Sequence, residues 1–122
     1  EAKIEQINDL QTELPIGVAI YGHLPLMLTR NCPIKNEIGC EKCAKHLIDR
    51  TERIMPVTCS KNYVEILNSD CLFMFDRINE FKNISFALIM LSNETEEQTA
   101  LALNKSKTTE KITRGLYYRG IN

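Results

Sequence analysis

No hydrophobic run in this chain approaches the ~20 residues needed to span a bilayer, which excludes a membrane-spanning helix and a membrane partner. Neither sign of charge dominates. Fifteen lysines and arginines against 16 aspartates and glutamates leave a net charge of −1. That balance excludes a globally basic nucleic-acid binder and confines any such contact to a local patch. The opening residues, Glu1-Ala2-Lys3-Ile4-Glu5, lack the basic region of a secretory signal, and a start at Glu1 is what a piece cut from a longer chain would show. There is no internal repeat or low-complexity segment. No G-x-S-x-G, Walker A, H-E-x-x-H or G-x-G-x-x-G pattern occurs. The two histidines, His23 and His46, leave little from which to build a nucleophile–imidazole pair. What is present is 122 residues, 43% of them hydrophobic and 25% charged, which reads as one compact cytoplasmic domain spanning 1–122.

Cysteine is over-supplied for such a domain, and its number, five, is odd. A disulfide framework prefers even counts and a secreted context. Cys71 lies in the apolar run Cys71-Leu72-Phe73-Met74-Phe75 and reads as a buried small hydrophobe. The other four cluster as C-x7-C-x2-C-x15-C: Cys32, Cys40, Cys43 and Cys59. Thiolates are soft ligands, and four held tetrahedrally select zinc or an iron–sulfur cluster. Cys40-Glu41-Lys42-Cys43 is a two-ligand knuckle, in which two intervening residues let both sulfurs face one ion, with Gly39 permitting close approach. Such a site would staple a polar loop over 31–59 to the sheet. Spacing does not choose between zinc and a 4Fe-4S cluster, and His23 or His46 is an alternative ligand.

The hydrophobic pattern predicts an amphipathic helix over 2–13, stopped by Pro15, then a strand over 16–21 that Gly22 breaks and an irregular apolar stretch at 24–28. Residues 31–43 read as loop and 44–49 as one helical turn. Arg53–Thr58 and Tyr63–Leu67 flank a turn-like Ser60-Lys61-Asn62, a β-hairpin in which Pro56 marks an edge or bulge. Asn68-Ser69-Asp70 reads as a break and 76–82 as helix. Residues 84–91 form the most strongly patterned strand, followed by helix over 94–105 with Asn93 and Glu96 as its capping box. This order predicts an α/β fold carrying a metal-loop insertion.

The tail, 105–122, places Lys105, Lys107, Lys111, Arg114 and Arg119 against the single Glu110. Arg114, Tyr118 and Arg119 interleave cations, aromatic faces and glycines, a pattern that binds phosphate and stacked bases. The competing reading is an ordered segment whose tyrosines pack on the domain.

These motifs form a set. Tyr21-Gly22-His23-Leu24-Pro25-Leu26-Met27 with Arg30-Asn31-Cys32-Pro33 resembles the YGxLPLM…NCP stretch of the collagenase-like peptidase family. Gly39-Cys40, Cys43, Leu47-Ile48-Asp49-Arg50 and Met55-Pro56-Val57 resemble its GCxxC…L-DR…FPV continuation, and Tyr63–Ser69 its YVEILNS segment. Thr113-Arg114-Gly115 with Tyr118-Arg119-Gly120 resembles its TRG…YRG ending. The likeness runs from about Val18 to Gly120, departing at Leu116, where the family often has His, and at Ile54-Met55. It implies a partial (β/α) barrel-like unit, the C-terminal part of a barrel that needs ~250 residues to close. The partner it implies is the rest of that barrel, or a second copy covering open strand edges. It also implies an iron–sulfur protein supporting hydroxylation of RNA or quinone, a metal-associated peptidase acting on a peptide, or an inert zinc-stapled structural module. Cys32, Cys40, Cys43 and Cys59 are then the ligands, Arg114, Tyr118 and Arg119 the substrate contacts, and the isolated piece is expected to be inactive.

Overall fold

The computed structural model describes residues 2–104 and 111–119. Among them, six strands order as β2-β3-β4-β1-β5, with β6 paired to β4. The elements in chain order are α1 (Ile4–Asn8), β1 (Gly17–Thr29), α2 (Pro33–Ile38), β2 (His46–Ile48), β3 (Ile54–Cys59), β4 (Val64–Phe73), β5 (Phe86–Met90), α3 (Glu96–Leu103) and β6 (Ile112–Thr113). The fold is mixed α/β and rich in strands. The chain divides into two compact units, one comprising 1–22 and 71–122, the other 23–70.

In the first unit β1 pairs parallel to β5, from Gly17 opposite Phe86 to Gly22 opposite Met90, with a register shift between Ala19 and Tyr21. Ile20 sits in that irregularity, and its carbonyl accepts the Met74 N–H at 2.8 Å. Gly22 does not end the strand. It holds φ +124, a conformation closed to most L-residues, and β1 runs on to Thr29. The core gathers Tyr21, Cys71, Phe73 and Ala102, with Phe75 and Ile89 against them. Cys71 is thus the buried small hydrophobe its surroundings implied. Helix α1 stops at Asn8, well short of 13. The Asn8 side chain accepts the Lys82 N–H at 2.8 Å and donates to the Glu80 carbonyl at 2.9 Å. Beyond Ile7 the apolar face finds nothing to cover it, leaving Leu10 and Leu14 exposed, and an unpacked short helix is marginal in water. The expected helix at 76–82 is a 3-10 segment, Phe75–Glu80.

The cap of helix α3 lies two residues later than expected, at Thr95. Thr95 Oγ1 accepts the Gln98 N–H at 3.2 Å, and Gln98 Oε1 accepts the Thr95 N–H at 2.9 Å. This Thr95-x-x-Gln98 capping box satisfies two orphan donors at once. The expected end at 105 lies outside the described residues. Strand β5 keeps its apolar pattern but not its burial: Phe86 and Leu88 are each 49% exposed on a strand with β1 as its neighbour in the sheet order.

The second unit is built on the predicted hairpin. Val57, Thr58 and Cys59 pair antiparallel with Ile66, Glu65 and Val64. Residues 44–49 are not helical: β2 pairs with β3, His46 opposite Pro56 and Ile48 opposite Ile54. Pro56, which has no N–H to donate, therefore sits where β3 passes from one partner to the other. The β2–β3 turn is closed by Asp49, whose Oδ1 accepts from Thr51 N, Thr51 Oγ1 and Arg53 N at 2.7, 2.7 and 3.0 Å. The Thr51 hydroxyl, then the Arg53 N–H, hold the Asp49 carboxyl below its usual range. The expected break at Asn68-Ser69-Asp70 is part of β4. Asn68 Oδ1 takes the Asp70 N–H at 3.1 Å, a local turn-like bond, while the Asn68 carbonyl lies 2.7 Å from His23 Nδ1. Sheet pairing overrides the local preference.

Candidate metal centre

All four clustered cysteines fall in the 23–70 unit. Residues 33–38, expected as loop, form α2, with Pro33 in the first turn, where its missing N–H is harmless, and Cys32 at the N-cap. Ile34 carries α2 onto the hairpin, joining Val57, Val64 and Ile66 in a core against which Cys32, Cys43, Leu47 and Met55 pack. The Cys-rich segment therefore has a core of its own. Gly39 ends α2 at φ +78. A Cβ there would meet nothing within 4 Å, so in the chain itself this glycine serves backbone conformation.

Cys40 opens a 3-10 turn, Cys40–Lys42, and its carbonyl accepts the Cys43 N–H at 3.2 Å. Two residues on, Lys45 N–H donates to Cys43 Sγ at 3.2 Å. Cys59 ends β3. Strand alternation puts it on the face of Val57, the residue whose core Cys32 and Cys43 also touch. Cys32 and Cys43 are half-buried, Cys40 and Cys59 exposed, and all four are free thiols. Partial desolvation pushes the Cys59 thiol up. Negative charge on Cys32 and Cys43, and more weakly on Cys40, pushes it further, while the Lys45 ammonium pulls it down. Each of the other three thiols thus acts on Cys59.

Gathering is not yet ligation. Among the described residues no group of three or more His, Cys, Asp or Glu side chains is arranged to hold a metal ion. A charge interaction reaches farther than a metal–sulfur bond. In donor chemistry the set fits: four soft thiols, one already accepting an N–H hydrogen bond of the kind that orients a thiolate ligand. The histidines have other engagements. His46 Nδ1 lies 3.1 Å from the Ala44 carbonyl, and His23 Nδ1 lies on Asn68.

Arg114, Tyr118 and Arg119 belong to the other unit. Arg114 forks onto Asp76, with Nη1–Oδ1 at 2.5 Å and Nη2–Oδ2 at 2.9 Å, and Nη1 also donates to the Phe73 carbonyl at 2.6 Å. The guanidinium holds the Asp76 carboxyl below its usual range. Tyr118 donates to Glu80 at 2.8 Å and stacks beneath Arg77, 5.2 Å from the ring centroid. Tyr117 donates to the Ala19 carbonyl at 2.5 Å and packs edge-on against Phe81. Arg119 is exposed. The tail is therefore tied by its arginine and tyrosines to the 75–81 segment, and β6 pairs with Cys71 and Leu72. Lys105 and Lys107 lie outside the described residues. Sequence reading missed Asp76 and Glu80 as the partners of the tail. It also missed Lys45, which the helical reading of 44–49 concealed.

Comparison of the chain with protein-family models, with curated proteins and with solved structures gives no match in any of the three.

Proposed function

We propose that residues 23–70 are a thiolate metal-binding module in the C-terminal portion of a collagenase-like peptidase-family protein, with Cys32, Cys40, Cys43 and Cys59 as ligands. The observation that carries this reading is that Cys32 and Cys43 pack against the one hairpin core that contains Val57, two residues before Cys59 on the same strand, with the Cys43 sulfur already held by a main-chain donor. The chain's own residues do the positioning. Ile34 and Val57 anchor the segments bearing Cys32 and Cys59, and the 3-10 turn sets Cys40 beside Cys43. When bound, a 4Fe-4S cluster supplies one-electron chemistry, the basis for hydroxylation of RNA or a quinone, whereas zinc supplies a structural staple. The parallel β1–β5 pair and the exposed apolar side chains of β5 support a partial barrel whose remaining strands, or a second copy, cover that strand. In this reading Arg114 and Tyr118 hold the tail in place and Arg119 meets the substrate. Four clustered cysteines outside any disulfide accord with a cytoplasmic, reducing setting.

Purification without oxygen, followed by metal analysis and visible spectroscopy, tests the proposal. About four irons per chain with sulfide and a brown colour support the redox reading, and about one zinc with no colour supports the staple. Protein that carries neither metal, and takes up neither on reconstitution, overturns the module.

A further inference from the structure

We infer that Lys45 is a positioning residue of the four-thiol site, a single left-handed residue that bolts the Cys43 sulfur to the strand bearing Cys59. The inference rests on the metal-module reading and goes beyond it, because it concerns how two separate ligand segments are brought into register.

Lys45 holds φ +56, in the left-handed region that a side chain with a Cβ enters only at a cost. Its side chain is exposed and adds no buried packing against that cost. The compensation lies in its main chain. The N–H turns to Cys43 Sγ at 3.2 Å, and the carbonyl turns to the Val57 N–H at 2.9 Å. Val57 is fully buried and lies two residues before Cys59 on the same face of β3. One residue therefore joins the second sulfur of the knuckle to the segment that carries the fourth. With a right-handed φ these two peptide groups would face elsewhere, and the two bonds could not be made together.

The consequence is a ranking. Affinity for a thiophilic ion should follow each residue's tolerance of the left-handed region, not its charge. The test is anaerobic titration of metal-free full-length chain with Co2+ alone, read by the thiolate-to-cobalt charge-transfer band and the tetrahedral d–d bands. The series is parent, Lys45→Gly, Lys45→Asn, Lys45→Arg and Lys45→Val, with far-ultraviolet circular dichroism of each metal-free chain to establish that it folds. Glycine and asparagine, which accept this conformation, are expected to bind cobalt at least as tightly as the parent. Valine is expected to bind about 10-fold to 100-fold more weakly, the usual penalty for disturbing a group that orients a ligand, with a charge-transfer band reduced by the sulfur lost. A purely structural role would lower the stability of the metal-free chain and leave the band intensity at saturation unchanged. That outcome overturns the inference. So does an order set by charge, with arginine matching the parent and glycine and asparagine both weak, and so does a flat series. A parent chain giving no tetrahedral cobalt spectrum overturns the metal module and this inference together, whereas a normal parent spectrum with a flat series removes the inference alone.

Discussion

Gly22→Ala places a Cβ 2.2 Å from the Met90 carbonyl oxygen and 2.8 Å from Met90 Cβ. Neither contact can be relieved by turning a side chain, because the first obstacle is the main chain of β5. Overpacking against fixed atoms costs about 1–3 kcal/mol. Holding a non-glycine residue at φ +124 costs a further ~1–3 kcal/mol. Reduced freedom of the unfolded chain returns about 0.4–1 kcal/mol, so the net loss is about 1–5.6 kcal/mol. Against a typical domain stability of about 5–15 kcal/mol that is severe. Gly17→Ala is the control. The three atoms nearest its Cβ all belong to the Phe86 ring, the closest being Cε2 at 2.1 Å; that ring is half exposed and can yield by a rotamer change, so the change should stay within about 1 kcal/mol. Urea denaturation of both variants decides it. The account requires Gly22→Ala to lower the midpoint strongly, with a Tm about 10 °C or more below the parent, and Gly17→Ala to lie near the parent. Equal losses, or a larger loss at Gly17, would refute the β1–β5 register and the left-handed assignment of Gly22.

Arg114→Ala removes a bidentate pair and a charged bond to the Phe73 carbonyl, and should cost about 1–2 kcal/mol, the pair's share being small because half of the Asp76 side chain is exposed. Because the folded Asp76 pKa lies below its ordinary value of 3.8, the pair's contribution is complete above that pH and lost as pH falls through the depressed value. The gap between parent and variant in denaturant midpoint should therefore narrow below about pH 4. Thr95→Ala should cost about 1 kcal/mol through loss of the helix cap, read by thermal melting; no change would place the cap elsewhere. Cys40→Ser should abolish the stabilisation conferred by metal and leave the chelator-treated chain unaffected. Cys71→Ser, at a wholly buried position, should destabilise both forms alike, by about 1–3 kcal/mol.

The hairpin was legible because its signal is local. Alternation on either side of Ser60-Lys61-Asn62 dictates the β3–β4 pairing, and the cysteine spacing marks out the segment that becomes one compact unit. Elements whose local signal pointed away from the pairing they make were not legible. His46-Leu47-Ile48 has the length of a helical turn, and only its partner β3 makes it a strand. Asn68-Ser69-Asp70 carries turn chemistry, and its side chains do make the local bond, yet the main chain stays in the sheet. Ile34, the one residue that turns a polar loop into a packed helix, is invisible until the hairpin core exists to receive it. The cap of α3 was present in Thr95-x-x-Gln98, and the neighbouring Asn93-x-x-Glu96 competed with it by the same rule. The arginines and tyrosines of the tail were visible as a pattern, but their partners Asp76 and Glu80 lie 38 residues away.

The most direct measurement is X-ray absorption at the metal edge of chain loaded without oxygen. The account predicts a first shell of about four sulfurs at roughly 2.3 Å, falling by one sulfur in Cys40→Ser, Cys32→Ser and Cys59→Ser alike. A shell dominated by nitrogen or oxygen, or one unchanged by any of these substitutions, would contradict it.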